Sequence, residues 1–224
     1  MKHILKTTAL LALLSACALA RDDQAWLNAG VDYTISGGLY LHFGQEVEFD
    51  NSKFMDDESV LLAGYSFCPY FALALGHRIV RERGGDAGHL LTEHRPTLEL
   101  RLAAPEFWTL RFDLRSRFEF RDKKHTQPYI RYRERLRLRT SWNITEFRFS
   151  PYASEELFFS DKAGTSDSDL LDSTRSQIGI SFRPVPQNDS LSCSLYFMVL
   201  HEIDDGASDW APLNIFGFDV AYSF

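Results

Sequence analysis

Long apolar runs are missing from almost the whole of this 224-residue chain. Past residue 20 no stretch reaches the roughly 18 apolar residues of a transmembrane helix. A mean hydropathy of −0.23 likewise excludes a helical membrane bundle. Cysteine is scarce, with only Cys17, Cys68 and Cys193. A disulfide-stapled scaffold needs more, and Cys68 and Cys193 are read as small unpaired hydrophobes. No segment sustains a helical period, and no internal repeat or low-complexity tract occurs. G-x-S-x-G and H-E-x-x-H motifs are absent, and the acidic stretches "DNSKFMDDE", "SDSDLLD" and "EIDDGASD" lack calcium-loop spacing. No catalytic residue, metal site or cofactor is therefore assigned. His42, His77, His89, His94, His125 and His201 have no motif that pairs any of them with a serine.

The one apolar run lies at the N-terminus. Lys2 and Lys6 precede "TTALLALLSACALA", ending in a small-x-small site at Ala20. Residues 1–20 thus read as a secretory signal peptide and 21–224 as one exported domain. "LSAC" offers a second processing route, with lipidation at Cys17. After cleavage at Ala20 the chain holds 22 basic and 31 acidic residues, a formal charge of −9. That balance argues against nucleic acid as a partner.

What fills the rest is alternation. "WTLRFDLRSRFEFR" puts Trp108, Leu110, Phe112, Leu114, Phe118 and Phe120 on one face, with Arg111, Asp113, Arg115, Arg117, Glu119 and Arg121 on the other. "TLELRL" opposes Leu98, Leu100 and Leu102 to Glu99 and Arg101. "YIRYRERLRLR" places Arg131, Arg133, Arg135, Arg137 and Arg139 on one side. The chain ends on "FGFDVAYSF", with Phe216, Phe218, Val220, Tyr222 and Phe224 on a single face. A period of two with unlike faces predicts strands throughout.

Ten strands are expected between 39–49 and 212–224, joined alternately by short turns and longer polar loops. Outer-membrane barrels pair short periplasmic turns with longer external loops, and an even count returns both chain ends to the periplasm. The segment 26–35 also alternates. Counting it gives eleven, which breaks that parity, so it is expected either outside the wall or as one of twelve strands. The fold class expected is an all-β antiparallel transmembrane barrel.

Lipid outside and charge inside suit this pattern better than a soluble sandwich. Twelve arginines lie between Arg95 and Arg148, while the only lysines there, Lys123 and Lys124, fall in a loop. Arginine is the residue for partly buried, forked pairing with carboxylates. The expected lumen-lining ladder comprises Arg95, Arg101, Arg111, Arg115, Arg117, Arg131, Arg133, Arg135, Arg137 and Arg139 with Glu93, Glu99, Asp113 and Glu119; Glu146 is a further carboxylate within reach. A three-residue connection at 104–106 would set Glu99 opposite Arg111 and Glu93 opposite Arg117. Tyr70, Phe71, Phe107, Trp108, Tyr129, Trp142, Phe158, Phe159, Trp210 and Tyr222 cluster at strand ends, as interfacial girdles do. Glu134 disagrees, being in phase with the leucines; a bulge or an interfacial position would accommodate it.

"GQEVEF", "LLAGYSF", "TEHRPTLELR", "LRSRFEFR", "YIRYRERLRLR", "YASEELFF" and the terminal "FDVAYSF", together with Trp26, resemble a family of bacterial outer-membrane barrels known as a domain of unknown function (the 2490 type). The resemblance implies a barrel in the outer membrane. By it the aromatic face ending at Phe224 would be the signal read by the barrel-assembly machinery, and the barrel would meet outer-membrane lipid and lipopolysaccharide. It brings no activity. Three functions remain open: a small, anion-preferring pore for a solute the sequence does not name; a structural or surface-interaction barrel; and a lipid-acting hydrolase.

Overall fold

In the computed structural model the described residues are 24–50, 53–84, 89–123, 127–144, 147–161, 170–185, 188–203 and 210–224. Residues 1–20, read from the sequence as a signal peptide, lie outside them, Cys17 included, as do His125 and Glu146. The strands are β1 (Gln24–Ser36), β2 (Leu39–Asp50), β3 (Lys53–Cys68), β4 (Phe71–Gly84), β5 (His89–Ala103), β6 (Leu110–Lys123), β7 (Tyr129–Thr140), β8 (Trp142–Ile144), β9 (Phe147–Ser160), β10 (Leu171–Phe182), β11 (Leu191–Ile203) and β12 (Trp210–Ser223). Each pairs with its sequence neighbour, except that β7 pairs with β9 rather than β8, and β12 returns to β1, so the sheet closes on itself. The short β8 carries the β7–β9 pairing on past Ser141, with Arg139 opposite Tyr152 and Trp142 opposite Phe149. The barrel wall therefore has eleven strands.

That count falls between the ten and twelve expected, and the seam explains why. The stretch 26–35 is part of β1, within the wall. Strands β1 and β12 run parallel, with Gln24 beside Ile215 and Asp32 beside Ser223, while every other neighbouring pair is antiparallel. A parity argument assumes antiparallel pairing all the way round, and one parallel seam removes it. The same geometry corrects the expected placement of both ends in the periplasm. The start of β1 and the end of β12 lie at opposite rims of the barrel.

One rim, the turn end, carries the Gly37–Gly38 hairpin, the Pro69–Tyr70 turn, and connections 104–109, 145–146 and 183–190. The other, the loop end, carries 51–52, 85–88, 124–128, 161–170 and 204–209. Both hairpin glycines have positive φ, 58° and 93°, as a two-residue turn matching strand twist requires. A Cβ on Gly38 would lie 2.4 Å from the Ser66 carbonyl oxygen. Strand β2 runs to Asp50 and β3 starts at Lys53, so the polar stretch after 49 is mostly strand.

The burial pattern is inverted relative to a soluble protein. Leu61 (57%), Leu75 (62%) and Ile178 (61%) are exposed on the outer wall, while Glu99 and Glu119 are 0% exposed inside. Aromatic rings gather around the turn end. Tyr33 and Tyr222 both contact Phe224, Tyr65 and Phe71 flank Phe67, and Phe107 stacks on Trp108. Two members of the expected girdle point inward instead. Phe158 is buried beneath Arg133, and Tyr129 stands opposite Arg121, whose guanidinium lies over its ring. Trp210's side chain is not among those described. Glu134 sits on the outer wall with no bulge, opposite Ser116 and Leu157, and accepts a hydrogen bond from the Tyr132 hydroxyl. Cys68 and Cys193 are both free thiols, with Cys193 beside Val220 on the outer wall.

Candidate functional site: a charged lumen

The site is the inner face. Alternation on β5, β6 and β7 delivers arginine and glutamate to it at every second residue, and adjacent strands bring them into register. The observed register differs from the one expected. Glu99 faces Arg117, Arg101 faces Arg115, and Glu93 faces Lys123. The connection between β5 and β6 takes six residues, 104–109, because Phe107 and Leu110 bond to one another around Trp108, which has φ of 59°. A three-residue turn was too short.

Five glutamates organise the middle of the lumen, each shared between arginines. Glu93 accepts a two-pronged contact from Arg95, 2.9 Å at each prong, and a second from Arg121. Glu99 takes Arg117 at 2.7 Å and Arg101 at 2.6 Å. Glu119 takes Arg131 at 2.7 Å, Arg133 at 3.0 Å and Arg117 at 3.4 Å. Glu156 takes Arg115 at 2.7 Å and Arg133 at 3.2 Å. Glu58 pairs with Arg78 and, at 3.3 Å, with Arg95. Fork-to-carboxylate bonds of this kind are the strong, directional ones. All the expected ladder residues therefore face the lumen, but Glu58, Arg78, Arg121, Glu156 and Arg175 are additional members. Glu156 was concealed in "SEEL", where only the strand's phase separates it from outward Glu155.

Beside the ion pairs lies an apolar inner cluster of Trp26, Tyr152, Tyr196, Met198, Leu200 and Ile215. Arg175 stacks on Trp26 at 4.7 Å. Three tyrosines lie across glycines on the facing strand: Tyr40 on Gly64, Tyr152 on Gly179 and Tyr196 on Gly217. Removing the Cβ lets each ring lie against the wall.

Towards the turn end the pairing thins out. Arg111 and Arg139 share Asp113 at 3.1 and 3.0 Å. Among the described residues Arg135 and Arg137 form no ion pair, although Arg137 stacks on Tyr152 at 4.6 Å. Two cavities of about 830 and 400 Å³ open here and share Arg111, Arg137 and Arg139 on their walls. Nearer the loop end the inner faces of β2–β4 are acidic, with Glu48 opposite Asp56 and Asp56 opposite Glu82. The lumen is thus polarised from a cationic vestibule, through a neutralised layer, to an acidic mouth.

Among the histidines, His42 bonds Asp32 at 2.9 Å, and His77 bonds His94 at 3.1 Å. Neither pair includes a serine hydroxyl. No cluster of three metal-ligating side chains occurs among the described residues.

Comparison with solved structures finds porin barrels. A NanC porin superimposes with a TM-score of 0.50 at 11% identity, over 85% of this chain and 93% of that one. A KdgM porin, solved in complex with disordered oligogalacturonate, gives a TM-score of 0.46 at 15% identity, over 87% and 90%. The first likeness is one of fold. No curated protein matches the sequence. A family model does match, over residues 23–208, and the chain belongs to that family of proteins of unknown function, DUF2490.

Proposed function

We propose that this protein is a bacterial outer-membrane pore with a preference for small anionic solutes, its turn end in the periplasm. The observation that supports it most is the imbalance on the inner face of β7, where Arg135 and Arg137 lack the carboxylates that Arg131 and Arg133 have. Arginine stays charged at any physiological pH. Uncompensated charge on a low-dielectric wall concentrates counter-ions. The apolar outer wall and its turn-end aromatics suit a bilayer. The buried layer around Glu99, Glu119 and Glu156 is the constriction. A structural barrel plugged by its own side chains draws on that same layer, and conductance separates the two functions.

Planar-bilayer recording under a salt gradient should give discrete steps with a reversal potential on the anion side. The opposed charge of the two mouths should also make the current–voltage curve asymmetric. Arg135→Gln, Arg137→Gln and Arg139→Gln together should shrink or reverse the preference. Arg133 is left intact because it bridges Glu119 and Glu156. Electrical silence, or cation preference in the unaltered protein, refutes the pore.

The terminal strand bears on how such a barrel arrives in its membrane. Phe216, Phe218, Val220, Tyr222 and Phe224 share the outer face, in register with Leu195, Phe197 and other outward residues of β11. The Phe224 N–H bonds the Asp32 carbonyl at 2.9 Å and its own carbonyl accepts from Thr34 at 3.3 Å, so the last residue also fastens the seam. We expect deletion of Phe224 to lower the amount of folded barrel recovered from outer membranes more than it lowers the urea midpoint of barrel that has folded. Equal recovery in cells would remove its role as an assembly signal.

A further inference from the structure

We propose that the larger turn-end cavity is a binding site for a small organic oxoanion, a solute bearing a carboxylate or phosphate group. This deepens the pore function and rests on the same lumen. Three observations converge on this cavity.

The first is a row of like charges. Arg101 on β5 faces Arg115 on β6, and Arg115 faces Arg135 on β7. Like charges directly opposite one another on neighbouring strands are destabilising. Arg101 and Arg115 each have one carboxylate, Glu99 and Glu156, while Arg135 has none among the described residues. An anion lying across this row would relieve the repulsion.

The second is a set of unused polar atoms. The Tyr40 hydroxyl and the Nε–H groups of Arg115 and Arg137 are buried without a hydrogen-bond partner, and all three residues line this cavity. A buried donor left unmade costs about 1–3 kcal/mol. One on β2 and two on β6 and β7, all bordering a single cavity, mark a place short of acceptors. A carboxylate or phosphate supplies several acceptor lone pairs and is matched by the guanidinium fork.

The third is shape. A volume of about 830 Å³ holds a small solute rather than a lone ion. Stacking on Tyr152 orients the Arg137 guanidinium, and the ring of Tyr40 is held against Gly64, so the site's walls are preset before a ligand enters.

Isothermal titration of the detergent-solubilised full barrel tests this, with inorganic phosphate, succinate and uncharged glycerol as probes. Saturable binding of phosphate or succinate is expected, weakening as salt rises, with no heat from glycerol. The tighter of the two anions identifies the preferred group. The double variant Arg135→Gln, Arg137→Gln should lose about tenfold in affinity or more, as charge-assisted bonds of this kind predict. Arg135→Lys keeps the charge but loses the fork, and should weaken binding with the barrel's heat-modifiable gel mobility unchanged. Tyr40→Phe keeps the ring over Gly64 and should also weaken binding. Absence of saturable binding by either anion, or equal affinity in the double variant, overturns the site. Binding without conductance would retain the site and refute the pore; conductance without binding would do the reverse.

Discussion

Glu119→Ala should lower the stability of the folded barrel by about 3–5 kcal/mol, the usual result of stripping one member from a buried ionic cluster. Glu119 is 0% exposed and serves three arginines on two strands. Arg117 would keep Glu99, and Arg133 would keep Glu156, but Arg131 would be left with only the face of Phe158 at 5.4 Å. Removing one carboxylate thus leaves a largely buried charge, 12% exposed, without its carboxylate partner. Glu119→Gln retains an acceptor oxygen and should fall between the two. Asp113→Asn is the contrast, since Asp113 is 26% exposed and its partners Arg111 and Arg139 face the vestibule. Exposed pairs of that kind contribute about 0–1 kcal/mol. Urea unfolding in detergent micelles, followed by gel mobility, would rank the three. Equal midpoints for Glu119→Ala and Asp113→Asn would show that the ion-paired layer does not hold the barrel together.

Gly217→Val should prevent the barrel from closing. A Cβ at this position would lie 1.8 Å from Cζ of Tyr196 and 2.2 Å from its Cε2. The ring has little room to yield, being packed with Trp26, Met198, Leu200 and Ile215, with its hydroxyl accepting a bond from Asn28 at 3.1 Å. Overpacking of a tight site ordinarily costs about 1–3 kcal/mol, and a contact this close exceeds the ordinary case. The β11–β12 pairing would be forced apart beside the seam. Tyr196→Ala introduced alongside Gly217→Val should restore part of the heat-resistant form, because it vacates the overlapping volume. Gly30→Ala is the control. Its nearest neighbour, the His42 ring, stands at 3.6 Å, an ordinary contact, and stability should change little. Normal yield of Gly217→Val would mean that Tyr196 does not lie across the glycine.

The wall was legible in the sequence because a period of two is a local property. Strand by strand, the phase of Leu98, Phe112 or Leu136 already separates outside from inside, and with it the whole Arg95-to-Arg139 ladder. Properties that depend on how strands meet were not. The register of β5 against β6 hinged on Trp108 adopting a left-handed conformation, which its side chain does not advertise. Phe158 looked like an interfacial aromatic, yet its phase on β9 puts it beneath Arg133. Glu58 and Glu156 were missed because each lies in an acidic run, where adjacent carboxylates blur the alternation that sets the strand's phase. The parallel seam joins the two most distant strands in the chain, and no local pattern speaks for it.

That seam has a geometric consequence for how barrels of this kind can lengthen or shrink. Eleven wall strands resolve into five hairpins folded at the turn end and a solitary closing strand, β12. Duplicating or losing a hairpin alters the circumference by a pair of strands and leaves the closing strand's direction relative to β1 unchanged. Gaining one strand alone would reverse that direction, make the closure antiparallel, and bring both chain ends to the same rim of the barrel. Diversification by hairpin is therefore continuous with this architecture, whereas diversification by single strands requires a change of sidedness in the same step.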